Sequence, residues 1–291
     1  MKASRLLGGA AALAGGGLAW GHFEAGWVRL HVLALTVPGL PRELSGLRVA
    51  HLSDFHLGHP GRGGRAVHRA VEWVEQRRPD VVVVTGDLLS RRTAEPELRG
   101  LLSRLPGAFV ILGNHDFAIS RDPFSERVSL TDLAPARLLS DGFATADIRG
   151  VRVSVAGLDP RSWFPPGSRP DFVRLVDPEA DFRILLTHSP RAVDRLRPGW
   201  FQLVVAGHMH GGQINVPYGR GKLRLAHPSA RYTEGVYRTP AAVMHVSRGL
   251  GTTFVPFRFL ARPEATELVL EVERDAPGSG ATSRVKTGTR A

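Results

Sequence analysis

Leu47-Arg48-Val49-Ala50-His51-Leu52-Ser53-Asp54-Phe55-His56 is an apolar run that ends on Asp-x-His. A short apolar run of this kind, Leu47 to Leu52, reads as a buried strand. Downstream, Gly64 to Arg78 carries Ala66, Val67, Ala70, Val71 and Val74 on one stripe, the pattern of a helix with one buried face. Pro79 ends that helix, and Val81-Val82-Val83-Val84 reads as a second buried strand. Pro96 to Leu105 is a second helix and Ala108-Phe109-Val110-Ile111-Leu112 a third strand. A β-α-β-α-β opening predicts a mostly parallel sheet with helices on its faces.

Further out the elements shorten. Phe143–Ile148 and Val151–Gly157 read as strands joined by an Arg149-Gly150 hairpin. Arg183–Thr187 and Phe201–Val205 are strands on either side of a short helix, Pro190 to Leu196, and Ala241–Ser247 and Ala265–Val272 complete the set. About a dozen short strands in an α/β chain are enough for two packed sheets. Upstream, residues 21–46 read as a connector containing a short strand at Trp27–Val32, which the Pro38–Pro41 stretch interrupts. Residues 274–291 are rich in Gly, Ser, Thr and Ala, with little to bury, and read as a disordered tail.

The chemistry gathers where the strands end. The first strand runs into Asp54-Phe55-His56, the second into Gly86-Asp87 and the third into Gly113-Asn114-His115-Asp116. The later pair run into His188 and into Gly207-His208-Met209-His210. In an open α/β sheet the rim at the carboxyl ends of the strands is where ligands bind. Asp oxygens and neutral imidazole nitrogens suit manganese, iron, zinc or nickel, and an Asp can bridge two such ions. A two-metal site can activate water and stabilise the leaving oxygen of an in-line displacement. Asp-x-His and His-x-His place both outer side chains on one face of an extended segment, because the strand period is two. Gly86, Gly113 and Gly207 allow sharp turns and close backbone approach there. A single strand-end Asp is usually a turn or cap residue and a single His a core or surface residue, but five of the 12 histidines fall in these loops.

Composition narrows the alternatives. With no cysteine, disulfides and thiolate metal sites are excluded. A net charge of +11 favours anionic partners. The excess is mostly scattered arginine, with Arg77, Arg78, Arg91 and Arg92 the nearest to a cluster, and no nucleic-acid-binding signature accompanies it. At the amino terminus, Lys2 and Arg5 precede an uncharged run from Leu6 to Trp20, the layout of a signal anchor or signal peptide over residues 1–20. The run is shorter than the ~20 residues a bilayer span needs. Its glycines weaken a helix, and Ala12-Leu13-Ala14 offers a cleavage site inside the run. The expectation is a membrane-held, extracytoplasmic enzyme, or a secreted or soluble one if the segment is removed.

The ordered set Asp-x-His, Gly-Asp, Gly-Asn-His-Asp, His and Gly-His-x-His resembles the calcineurin-like metallophosphoesterase superfamily, including the 27-residue step from Asp87 to Asn114. The resemblance covers Leu47 to Val272. The wording of His51–Gly58, of Gly207–Gln213 and of Ser247-Arg248-Gly249-Leu250-Gly251 is similar to a bacterial membrane-associated branch, related to eukaryotic transmembrane proteins bearing this domain. The resemblance implies a four-layer α/β/β/α sandwich of two mixed β-sheets over a catalytic domain at 47–273. It implies one divalent metal on Asp54, His56, Asp87 and His210 and a second on Asp87, Asn114, His188 and His208. Manganese is the expected ion, with iron, zinc or nickel as alternatives.

By the same resemblance His115 contacts the scissile phosphate and aids the leaving group, and Asp116 would orient it or cap a helix. His59 and Arg248 are substrate contacts to be tested, guanidinium being suited to phosphate. The implied activity is hydrolysis of a phosphodiester or pyrophosphate near the membrane, a UDP-diacylglucosamine-like glycolipid among the substrates. The rivals are a broad phosphodiesterase acting on cyclic nucleotides or small diesters, and a non-catalytic binding module. A DNA nuclease would need a gripping domain that the sequence lacks, so no nucleic-acid partner is expected.

Overall fold

The computed structural model describes residues 2–273, so the tail expected at 274–291 lies outside the described residues. Helix α1 (Lys2–Ala25) leads into β1 (Arg29–Thr36) and β2 (Arg48–Leu52), the strand of the quoted stretch. Then follow α2 (Gly63–Arg77), β3 (Val81–Thr85), α3 (Glu95–Leu102), β4 (Phe109–Ile111) and β5 (Arg137–Leu138). The second half holds β6 (Gly142–Ile148), β7 (Val151–Gly157), a single turn α4 (Pro160–Trp163), β8 (Phe182–Thr187) and β9 (Leu203–Ala206). Last come the hairpin β10 (Asn215–Tyr218) and β11 (Gly221–Arg224), then β12 (Gly235–Arg238), β13 (Val243–Val246) and β14 (Glu264–Glu271).

Two six-stranded mixed sheets result, ordered β1-β14-β2-β3-β4-β5 and β12-β13-β9-β8-β7-β6. In the first, β2 to β5 are parallel and β14 runs antiparallel to β2. In the second, β7, β8, β9 and β13 are parallel, with β6 and β12 antiparallel at the edges. Val49, Val83 and Ile111 of one sheet face Val153, Ile184 and Val205 of the other in a sealed apolar layer. On the outer face of the first sheet the stripe Ala66, Val67, Ala70, Val71 and Val74 of α2 is buried to within 1%. Burying each such valine contributes about 1.5–3 kcal/mol. Arg78 closes α2 with φ 47°, its amide donating to Val74 O. Over the second sheet the fourth layer is thin: α4 and 3-10 turns at Phe172–Leu175 and Pro190–Arg195 cover Leu185, Val204 and Met244. The short helix expected at Pro190 forms as a 3-10 segment, with Pro190 at its first position.

The Arg149-Gly150 hairpin forms as expected, both residues at positive φ (57° and 77°), between the paired Ile148 and Val151. The stretch read as a connector is different: β1 is an edge strand of the first sheet, parallel to β14 through eight residue pairs. α1 runs past the uncharged stretch to Ala25. Around Gly8, Gly9, Gly15, Gly16 and Gly17 there is open space, whereas Gly21 lies against the Phe259 ring. Glu24 is buried and accepts from the Ala261 amide (2.8 Å) and Trp20 Nε1 (3.0 Å). Among the described residues no helix is long and apolar enough to cross a membrane.

Candidate active site

The loops after β2, β3, β4, β8 and β9 converge, as strand-end placement requires. Their backbones are not extended, however. Asp54 (φ 54°), His56 (46°), Asp87 (53°), His208 (73°) and His210 (49°) are all left-handed. The i, i+2 pairs meet through these turns rather than through the two-residue period of a strand. Non-glycine residues at positive φ cost of order 1–3 kcal/mol each and persist where the surroundings over-determine them. Here close packing does so. Gly86 supplies φ +88°, while Gly113 and Gly207 serve close approach. A Cβ on Gly113 would collide with Asp87 Oδ1 and the Asp87 amide, and one on Gly207 with Ser53 Oγ and Asp54 Oδ2.

Two clusters of ligand-bearing side chains form, Asp54, His56, Asp87 and His210, and Asp87, His188 and His208, the atoms of each within 4.8 Å of one another. Asp87 belongs to both. Its Oδ2 is 3.4 Å from His56 Nε2 and 3.0 Å from His188 Nε2, and His210 Nε2 is 3.5 Å from Asp54 Oδ1. Among the described residues, His56 Nε2, Asp87 Oδ2, Asn114 Oδ1 and His210 Nε2 are buried side-chain atoms with no hydrogen-bond partner. Leaving so many polar atoms unpaired in one place is costly unless a cation satisfies them. An oxygen and nitrogen donor set of this kind fits borderline divalent ions.

His56 and His210 are held in the neutral form that a metal ligand needs. Burial, opposed mainly by Asp87, keeps the His56 imidazole well below its ordinary pKa, and burial together with His56 does the same for His210. Burial would push Asp87 up, but the facing imidazoles, His188 foremost, hold it well below the usual carboxylate range. Burial raises Asp54 to about 6 against the pull of His188. His188 goes the other way: burial opposes its charge, yet Asp87 raises it to about 9. Its Nδ1 meets Thr85 O at 2.7 Å, which leaves Nε2 facing the cluster.

His115 borders this centre, its ring edge-on to His56 at 4.8 Å and its amide donating to Asp87 Oδ1 (2.8 Å). Its Nδ1 meets Ser125 Oγ and lies 3.7 Å from Asp122 Oδ2. Asp116 does not approach that ring. Its buried carboxylate accepts from the amides of Leu88 (3.0 Å), Leu89 (3.0 Å) and Gly113 (2.8 Å), tying the loop after β4 to the loop after β3. Burial, reinforced by Asp87, pushes its carboxyl up to about 7. Asp122 and Ser125 carry no functional signal in the sequence. Asp122-Pro123 there reads as an ordinary turn start, and Asp122 indeed accepts from the Phe124 amide (2.9 Å).

His59 sits at the rim, its Nδ1 shared between Pro60 O (2.9 Å) and Thr252 Oγ1 (3.1 Å) and its ring against Phe124 at 4.9 Å. Arg248 Nε is 2.6 Å from Glu234 and 3.6 Å from Glu264, partners that occupy it without a substrate. His51 and His245 form a buried pair, Nδ1 to Nδ1 at 2.8 Å, with His51 Nε2 on Thr85 Oγ1 (2.9 Å). A further buried residue carried no local signal: Arg258, fully enclosed, reaches His210 Nδ1 at 3.1 Å.

Comparison with known proteins agrees with this geometry. The family profile described as calcineurin-like phosphoesterase matches residues 47–212. The uncharacterized metallophosphoesterase YkuE of Bacillus subtilis is 30% identical over 275 residues, 90% of this chain and 93% of that one. A transmembrane protein with metallophosphoesterase domain from Danio rerio is 31% identical over 81% of this chain and 56% of its own length. The UDP-2,3-diacylglucosamine pyrophosphatase LpxG of Chlamydia trachomatis is 26% identical over 84% of this chain and 89% of that one. A profile spanning more than half the chain, and a relative aligned along nearly all of it, place this protein in the calcineurin-like phosphoesterase family, as a metal-dependent hydrolase of phosphoric esters.

Proposed function

We propose that the chain is a dinuclear phosphodiesterase or pyrophosphatase that acts on lipid-linked phosphate esters at a membrane surface. The observation carrying the hydrolytic part is the set of unpartnered buried atoms on His56, Asp87, Asn114 and His210. Asp54, His56, Asp87 and His210 would hold one divalent ion and Asp87, Asn114, His188 and His208 the other, with manganese the ion to test first. When bound, such ions neutralise phosphoryl charge and lower the pKa of water. The remaining work falls to the chain. His115, its Nδ1 occupied by Ser125 and Asp122, has the other ring nitrogen available to pass a proton to the leaving oxygen. Asp116 keeps the loops carrying Asp87 and Asn114 in register through three amides.

A UDP-diacylglucosamine-like glycolipid is the substrate to try, supported by the likeness to LpxG along most of both chains. Membrane contact through α1 is supported by its exposed Leu13, Leu18, Trp20 and Phe23, next to exposed Trp27. Aromatic and aliphatic side chains of this kind suit the interfacial zone. Lys2 and Arg5 ahead of the uncharged run favour an extracytoplasmic enzyme. The deciding experiment is hydrolysis of bis-p-nitrophenyl phosphate beside p-nitrophenyl phosphate by the full-length chain, after chelation and again with manganese restored. Metal-dependent release from the diester supports the reading. No release, with no metal retained by elemental analysis, refutes it.

A further inference from the structure

A groove of about 840 Å³ opens from the metal rim on the side of the second sheet. His208, a member of the second cluster, forms part of its wall, so the groove is continuous with the reacting centre. Its walls bring together Arg191, Arg195 and Arg231 from segments on both sides of β9. The single carboxylate in the lining, Asp194, is already engaged, accepting from Tyr232 Oη at 2.7 Å and lying 3.7 Å from Arg231. Arg195 is braced over the Trp163 ring at 5.3 Å, while Arg191 has no ion-pair partner among the described residues. His227, its ring 6.0 Å from His208 and tilted at 44° to it, adds a hydrogen-bonding group to the lining. The groove therefore carries surplus positive charge beside a centre that handles one phosphoryl group.

We infer that this groove is a second phosphate site, which selects substrates whose scissile phosphate is linked to another phosphoryl group. The inference rests on the hydrolytic reading above and adds its specificity. Guanidinium groups bind phosphoryl oxygens in a bidentate fork, and a groove of this size is in the range of small-molecule sites. A simple diester would fill the metal rim and leave the arginines idle. A nucleoside diphosphate derivative would use both.

The test uses AMP and the uncleavable α,β-methylene analogue of ADP as probes. Isothermal titration of the full chain with manganese bound should show the ADP analogue binding at least about tenfold more tightly than AMP. In the R191Q/R231Q double variant that preference should shrink to about twofold or less. Equal affinities in the wild type, or an undiminished preference in the variant, would overturn the inference. The manganese-loaded variant should hydrolyse bis-p-nitrophenyl phosphate as the wild type does, which also reports correct folding. Loss of that activity would mean the arginines serve the metal centre itself, and would overturn the inference as well. If the wild type hydrolyses no ester at all, the hydrolytic reading fails, and the ADP titration still judges the groove.

Discussion

Arg258→Met removes a buried cation from beneath the rim, and its cost follows from the partners it loses. The side chain is 0% exposed. Its guanidinium donates to the carbonyls of Gly251 (3.0 Å), Arg248 (2.9 Å) and Ala261 (2.9 Å), and meets His210 Nδ1. Burial pulls its pKa down to about 10, so it is charged at neutral pH. Methionine fills much of the space but donates nothing. Each buried acceptor left unpaired costs about 1–3 kcal/mol. Set against relief from burying a charge, the net loss is about 3–5 kcal/mol, the range for breaking a buried charged network. In a chain of this size that lowers Tm by about 6–20 °C. Arg258→Lys keeps the charge but lacks the planar fork, and should recover about half of the loss. Thermal unfolding followed by circular dichroism measures both variants. Because His210 also loses its Nδ1 partner, manganese affinity should fall about 10- to 100-fold. A methionine variant melting within about 2 °C of the wild type, with unchanged metal affinity, would refute the reasoning.

Four further outcomes are expected. Asp87→Ala, shared by both clusters, should cut diester hydrolysis by about 10³-fold, read on preparations matched for metal content; retained turnover would refute the bridging assignment. Gly207→Ala drives a methyl into Ser53 Oγ and Asp54 Oδ2 and should cost about 1–3 kcal/mol in urea unfolding together with loss of bound metal. His245 is held down to about 4, chiefly by burial. The folded state therefore takes up fewer protons than the unfolded chain between its pKa and the ordinary ~6.5, and stability falls as pH drops through that window, by about 3 kcal/mol. In His245→Asn the acid limb of the stability profile should flatten by that amount, and an unchanged limb would show the pair is hydrated. Full-length protein should co-sediment with anionic phospholipid vesicles, and the triple variant W20A/F23A/W27A should remain in the supernatant.

The strands and the clustering of Asp and His at their ends were legible because both write themselves locally. Val81–Val84 reads as a strand on apolar character alone, and the residue at which its apolar run stops, just ahead of Gly86-Asp87, is also where the strand ends. The backbone at those ends was not legible. Side-chain types at Asp54 and His56 suggest an extended i, i+2 pair, whereas the left-handed φ at both goes with close packing against Gly207, Gly249 and Gly251, which lie far away in sequence. β10 to β12 are not legible in the sequence because their residues are mostly exposed or half-buried and show no apolar run. Arg258 resembles any arginine in a Phe-rich segment. Its burial depends on α1 and on the loop after β13, contacts that no window of sequence contains.

The burial of Glu24 has a mechanical consequence. A tether can be cut without touching what it holds, but the N-terminal helix is not a tether of that kind. From Glu24 the hydrogen bonds run to the amide of Ala261, from the carbonyl of Ala261 to Arg258, and from Arg258 to His210. Tension applied to the helix would reach the His210 imidazole through three links. A shortened protein that begins at Leu47 would lose the first of these links along with an edge strand, exposing the backbone of β14 as a sticky border. One that begins near Trp20 would keep the whole frame.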